Sequence, residues 1–268
     1  MKLYIIISTL FKETGCMPGR DAFIEILRKN GLMVHIRRRR RYKTTDSNHH
    51  YRKYPNLIKD VVPHRPNEIW VSDITYIETG EGVCYLSLIT DAYSHKIVGW
   101  SLGPTLETIY PLEALRMALE NIDEETARRL IHHSDRGCQY CSDAYVAVLK
   151  SYGIGISMTQ SGDPLENAIA ERTNGILKSE WLYKMAIPSR EICKAELARI
   201  IDFYNTQRPH MSIGWQTPEQ AHTQYGEQQR CWKNYYHQAP SYEPSQLGVY
   251  APDLNGLAEE SFAKEVAV

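Results

Sequence analysis

Long apolar runs are missing from this chain of 268 residues. Nowhere does it offer the roughly 18 to 20 consecutive apolar residues that a membrane-spanning helix needs, so a soluble protein is expected. A secretion signal is not expected either. Met1 and Lys2 precede an apolar stretch from Leu3 to Phe11, but Lys12 and Glu13 follow at once without a small-residue cleavage pattern, and the stretch reads as a helix or strand of the folded chain. Cysteine is scarce. Positions 16, 84, 138, 141, 193 and 231 show one close pair and no regular spacing, which excludes a disulfide framework and indicates a reducing, cytosolic setting. Also absent are G-x-x-x-x-G-K-[ST], H-E-x-x-H and G-x-S-x-G, leaving phosphate-loop, zincin and hydrolase-elbow chemistry without support. Cys138 and Cys141 with His132 and His133 make half a zinc site, but structural zinc takes four ligands and no second pair follows, so free core thiols are expected.

What is present is ordinary globular composition, 43% hydrophobic and 24% charged, in a length suited to one large or two smaller domains. The net charge of −1 conceals an asymmetry. From Arg28 to Lys59 there are eleven Lys and Arg against one acid, Asp46, a local charge of +10 that leaves −11 on the rest. Arg37, Arg38, Arg39, Arg40, Arg41 and Lys43 form its centre, with Tyr42, His49, His50, Tyr51 and Tyr54 interleaved. A basic arm on an acidic body suits a polyanion, because Lys and Arg neutralise phosphates and release condensed counterions. Five consecutive arginines cannot face one groove from a helix, so contact with phosphates and not bases is expected.

Residues 19 to 33 carry Phe23, Ile24, Ile26 and Leu27 at helical spacing and end on Asn30-Gly31. A polar, proline-bearing linker follows, with a boundary near 60 to 66. Next come β-branched and aromatic runs at Ile69 to Ile77, Gly82 to Thr90 and Lys96 to Leu102, separated by short turns, which predicts an antiparallel meander. A helix is expected over 108 to 122, a strand over Arg129 to His133, a helix over Asp143 to Tyr152, a strand over Ile154 to Met158, and helices over 164 to 183 and 189 to 205. Strands alternating with helices make an α/β domain. The division expected is 1–65 as basic N-terminal segment, 66–225 as core, and 226–268 as a tail of loop or disorder.

Three acids stand out. Asp73 lies inside the apolar strand Trp70 to Ile77, where a carboxylate is costly unless paired or bound to a cation. Asp135 ends the strand Leu130 to Asp135, where α/β sheets project side chains into a ligand crevice. Glu171 lies on the helix from Pro164. At about 100° per residue, Leu165, Ile169 and Ile176 form an apolar stripe, while Asn167, Glu171, Asn174 and Lys178 cluster within about 60° on another face. Glu166 and Glu180 fall about 140° and 180° from Glu171 and share no face with it. Two strand carboxylates and one helix carboxylate suit a pair of Mg²⁺ ions that would clamp an in-line phosphoryl displacement; turn formers, caps or surface charges are the alternative.

W-V-S-D-I-T-Y at 70 to 76, H-H-S-D-R-G at 132 to 137 with Q-Y at 139 to 140, N-A-I-A-E-R at 167 to 172 with L-K at 177 to 178, and Y-N with R-P-H within 204 to 210 resemble the DDE transposases of bacterial insertion sequences, of the OrfB type with a retroviral-integrase-like core. Thirty-five residues separate Asp135 from Glu171, the family's D-D-(35)-E spacing. The resemblance implies a ribonuclease H-like fold with a mixed five-stranded sheet flanked by helices, Asp73 on the first strand, Asp135 after the fourth and Glu171 on a late helix. It implies catalysis by these three as ligands of two Mg²⁺ (or Mn²⁺), DNA strand cleavage followed by strand transfer, element ends and target DNA as partners, a homo-oligomer on DNA, an upstream-frame partner (OrfA), and a cytoplasmic, nucleoid-associated protein. Residues 19 to 60 resemble the family's helix-turn-helix remnant and basic linker. Lys178, with Arg172 and Asn174, is expected to contact DNA, and Asp91 to form a turn by accepting backbone N–H groups. The chain departs from many relatives in its later start and in Asp163 and Glu166, changes that bear on end recognition more than on the triad. The alternatives are a non-catalytic DNA-binding or regulatory fragment, and a ribonuclease H-like nuclease that hydrolyses without joining.

Overall fold

A computed structural model describes residues 2–10, 17–33, 48–160 and 164–228. The arginine run 37–41, Lys43 and the expected tail from 229 onward lie outside the described residues. All described residues fall within one compact unit, Met1–Trp232. Two short helices open it, α1 (Lys2–Leu10) and α2 (Arg20–Lys29), with the Tyr4 and Phe23 rings edge to face at 5.5 Å. α2 stops at Asn30, as Asn30-Gly31 indicates, with Gly31 in the left-handed region at φ 66°.

The core is a five-stranded sheet of β1 (Ile69–Thr79), β2 (Gly82–Asp91), β3 (Ile97–Gly103), β4 (Ile131–Ser134) and β5 (Gly155–Met158), in the order β3-β2-β1-β4-β5. The first three strands form the expected antiparallel meander, and β4 and β5 join in parallel, so the sheet is mixed. Between β3 and β4 run α3 (Ile109–Leu119) and α4 (Glu124–Arg129). The short α4 takes Arg129 out of the expected strand; it is capped by Asp123, whose carboxylate accepts from the Thr126 N–H, and its ends carry Glu124 and Glu125 first, Arg128 and Arg129 last, matching the helix dipole. Then come α5 (Cys138–Cys141), α6 (Asp143–Ser151), α7 (Ala168–Glu180), α8 (Arg190–Thr206) and α9 (Pro218–Ala221). The helix expected over 164 to 183 is α7 flanked by two 3₁₀ turns, Pro164–Asn167 and Leu182–Lys184.

One face of the sheet packs against α3 and α6 through Trp70, Leu115, Tyr145, Leu149 and Ile156; the other packs against α7 and α8 through Leu86, Leu88, Leu177, Leu197 and Ile201. Gly99 on β3 admits α3 closely: a Cβ there would stand 2.1 Å from the Ala114 carbonyl oxygen. Among the described residues no helix is long and apolar enough to cross a membrane.

Candidate active site

The parallel register sets two acids side by side. Ile69 pairs with Ile131, Trp70 with His132 and Val71 with His133, and continuing that offset by two places sets Asp73 level with Asp135. Neighbouring strands lie about 4.8 Å apart, so the two carboxylates issue from adjacent strands just beyond the point where β4 ends. That is the carboxyl end of parallel strands, where α/β sheets place ligand crevices.

α7 lies along β1 and contributes the third acid. The Asn167 side chain, next to its first residue, donates to the Ser72 carbonyl oxygen (3.0 Å); Asn174 Nδ2 donates to Asp73 Oδ2 (2.7 Å); and the Lys178 ammonium stands 3.9 Å from the centre of the Tyr76 ring. Three of the four residues of the polar stripe read from the helical wheel are therefore turned away from solvent. They are bonded along β1 at residues 72, 73 and 76, with Asn167, Asn174 and Lys178 buried. Glu171, between Asn167 and Asn174 on this stripe, is exposed at the rim.

Electrostatics tie the three acids together. Burial pushes the Asp73 carboxyl up to about 7, the charge of Asp135 adds to this and that of Glu171 adds less, while the Asn174 side chain and the Ile74 N–H oppose the shift. Burial also raises Glu171. Asp135 is held by its own turn: the Gly137 N–H donates to Oδ1 at 2.9 Å, and a Cβ at Gly137 would crowd that oxygen and Gln139 Oε1 at 3.0 Å each. Tyr140 is buried beneath the pair, and its hydroxyl has no hydrogen-bond partner among the described residues. Burial first, then Tyr145, Asp135 and Asp73, keep it protonated.

Nearby histidines are committed elsewhere. His132 Nε2 lies 2.7 Å from Ser72 Oγ and 3.0 Å from the Tyr145 hydroxyl, and His133 Nδ1 lies 2.8 Å from Ser157 Oγ. Burial pushes their pKa values down to about 3 and about 4, so both rings are neutral near pH 7. Cys138 and Cys141 are free thiols, with Cys141 against the Met158 sulfur at 3.5 Å. Asp91 is fully buried and accepts the N–H groups of Asn67 and Ser94, each at 2.7 Å, in the turn role its context suggested. Of the acids excluded by the wheel, Glu166 accepts the Gln160 N–H (2.7 Å) and Glu180 pairs with Arg208 (2.6 and 2.7 Å).

The structure thus brings Asp73, Asp135 and Asn174 together, with Glu171 one helical turn from Asn174. Arg172 is exposed on another side of α7, beside a cleft of about 950 Å³ that Ile169, Tyr204 and His210 also line. No group of three or more His, Cys, Asp or Glu side chains among the described residues is placed, as it stands, to hold a metal ion. Two features escaped the sequence reading. Asn167 and Asn174 act as clamps to β1, and Arg208, quoted only as part of R-P-H, is a buried partner of Glu180 and His210. An Asn on either side of Glu171 on one helical face was the available signal for the first.

A mixed β3-β2-β1-β4-β5 sheet with one acid on β1, another directly after β4 and an acid-bearing helix across them defines a ribonuclease H-like integrase core. Models of the integrase core domain match residues 63–164 and 152–218. An insertion element IS600 protein of Shigella sonnei is 36% identical over 211 residues, spanning 78% of this chain and 76% of that protein. The transposase for insertion sequence IS629 of the same organism is 34% identical over 216 residues (79% and 70%), and the InsF transposase of IS3A from Escherichia coli K12 is 38% identical over 165 (61% and 57%). In fold, the chain resembles one in the simian T-cell lymphotropic virus intasome bound to the PP2A regulatory subunit B56 gamma, at a TM-score of 0.51 and 19% identity over 66% of this chain and 61% of that one. The chain belongs to the insertion-sequence transposases with an integrase core, enzymes of DNA transposition.

Proposed function

We propose that the chain cleaves DNA at the ends of an insertion sequence and transfers the freed strand to target DNA, with Asp73, Asp135 and Glu171 as catalytic ligands of two Mg²⁺ (or Mn²⁺). The observation that carries this is the parallel register of β1 and β4, which, continued past the end of β4, sets Asp73 level with Asp135, with the Glu171 helix bonded to β1 at Ser72 and Asp73. The donor set fits a hard cation: it offers carboxylate oxygens, the neighbouring His132 and His133 being engaged in hydrogen bonds, and the Asp73 carboxyl is pushed up first by burial and then by the charge of Asp135, both of which a bound cation would offset. Bound there, the ions would activate the attacking oxygen and stabilise the leaving one in an in-line displacement. Asn174 holds Asp73 in orientation, and the Gly137 N–H holds Asp135.

In this reading the arm cations Arg37 to Arg41 and Lys43 grip DNA phosphates, and Arg172 supplies a contact from the exposed side of α7. Asn174 and Lys178 act from inside the site; a direct Lys178 contact with DNA would require the ammonium to leave the Tyr76 ring. Residues 1–65 serve DNA binding, 66–225 catalysis, and 226–268 form a tail. The working form is a homo-oligomer on DNA in the bacterial nucleoid, aided by an upstream-frame partner.

The test is incubation with DNA carrying the element's ends, with and without Mg²⁺ or Mn²⁺ and with and without that partner. Metal-dependent joined products are expected. Hydrolysis without joining would identify a nuclease, and retention without metal-dependent products a binding module.

A further inference from the structure

Beside Asp135 lie cations that the reading above leaves unused. Residues 48–58 run along the edge strand β5: the Met158 N–H donates to the Pro55 carbonyl (3.2 Å), the Leu57 N–H donates to Ser157 Oγ (2.8 Å), and Tyr51 and Tyr54 pack against the core. One end of this strap is pinned to the loop after β4, where His49 Nε2 donates to the Arg136 carbonyl at 2.8 Å. Arg52 lies over the Tyr54 ring, 5.2 Å from its centre. Lys53 is exposed and Arg136 half-buried; among the described residues neither forms an ion pair, and Arg136 Nε is buried without a hydrogen-bond partner. Arg136 follows Asp135 directly, and Lys53 lies four residues along the strap from His49, the residue bonded to Arg136; at the Cys141 thiol, pushed up to about 11 chiefly by burial, the charge of Asp135 adds to the rise while those of Lys53 and Arg136 oppose it.

Two cations that form no ion pair among the described residues, beside an acid to which a DNA strand would be brought, have an obvious anion to take. We propose that Lys53 and Arg136 bind a phosphodiester of the strand brought to Asp135, so that the strap along β5 sets the path of that strand past the carboxylates. The guanidinium can fork onto two phosphate oxygens while the ammonium acts as a point charge. This rests on the DNA-processing reading above.

The test is binding of a short fluorescein-labelled duplex of arbitrary sequence, without divalent metal, across a salt series. Each phosphate contact contributes about 0.9 to the slope of log K against log salt, so Lys53→Gln/Arg136→Gln should flatten the slope by about 1.8 and weaken binding by about tenfold or more at low salt. Arg136→Lys should restore most of the slope. Arg128→Gln/Arg129→Gln, which removes two cations on α4 at the other end of β4, should leave it unchanged. Lys53→Gln alone, at an exposed side chain, should give half the effect and serves if the double variant fails to fold. A wild-type slope in folded Lys53→Gln and in the double variant would overturn the proposal. Failure of the wild-type protein to bind the duplex at all would instead count against the DNA-processing reading.

Discussion

Asn174 on α7 donates a 2.7 Å hydrogen bond to Asp73 on β1, joining the helix that bears Glu171 to the strand that bears the most perturbed carboxyl of the site. The bond favours the ionised form of Asp73 and opposes the effects of burial and of Asp135. Asn174→Ala should therefore raise the Asp73 pKa further and move the acidic limb of the strand-transfer pH profile upward. A hydrogen bond to a charged group is worth about 1.5 to 3 kcal/mol, so activity at pH 7 should fall by about tenfold or more. A profile that keeps its midpoint in the variant would show that the bond does not tune Asp73.

The same carboxyl makes stability depend on pH with a definite sign. Its folded pKa of about 7 lies above the ordinary 3.8, so the native state holds the proton more tightly than the unfolded state. The stabilisation is complete below the unfolded value and is lost as pH rises toward 7. Without metal, wild-type protein should lose this contribution between about pH 4 and pH 7, and Asp73→Asn should remove that slope and raise the midpoint of thermal unfolding at pH 7. Mg²⁺ should bind more tightly as pH rises through 7. Thermal unfolding across pH, with and without Mg²⁺, checks both signs.

Lys178 places the sequence reading and the structure in direct competition. Its ammonium lies over the Tyr76 ring and the side chain is buried. Lys178→Ala should cost about 1 to 3 kcal/mol in urea unfolding, through lost packing and the lost cation–π contact, and leave the salt slope of DNA binding unchanged. A slope flattened by about 0.9 in a variant of unchanged stability would instead establish the DNA contact.

Arg208 should matter to the fold. It is buried, pairs through two nitrogens with Glu180 at the end of α7, and lies 2.8 Å from a His210 ring nitrogen. Arg208→Gln removes the two-nitrogen ion pair with Glu180 and should cost about 2 to 3 kcal/mol, toward the lower end for a buried pair because Glu180 is partly exposed. Urea titration measures it.

The meander was legible because β-branched runs at 69–77, 82–90 and 96–102 are punctuated by turn residues, and the Glu171 face because a helix projects its residues at fixed angles. What that face meets was not legible. Asn167, Asn174 and Lys178 find Ser72, Asp73 and Tyr76 about a hundred positions earlier in the chain, and periodicity within α7 is silent about such partners, so a polar stripe read as a working surface is largely an internal seam. Arg208 escaped for the same reason, since Glu180 lies 28 residues away. α4 was lost to its brevity, six residues with one buried side chain, although Asp123 and its charge pattern announce it.

The central claim is that Asp73, Asp135 and Glu171 share cations, and anomalous diffraction from Mn²⁺-soaked crystals measures this most directly. The account predicts manganese between Asp73 and Asp135, with the Glu171 side chain drawn in from the rim as a ligand, and no such density in Asp135→Asn crystals. Manganese bound elsewhere, or density at this position with Glu171 still turned away at saturating metal and with DNA bound, would contradict it.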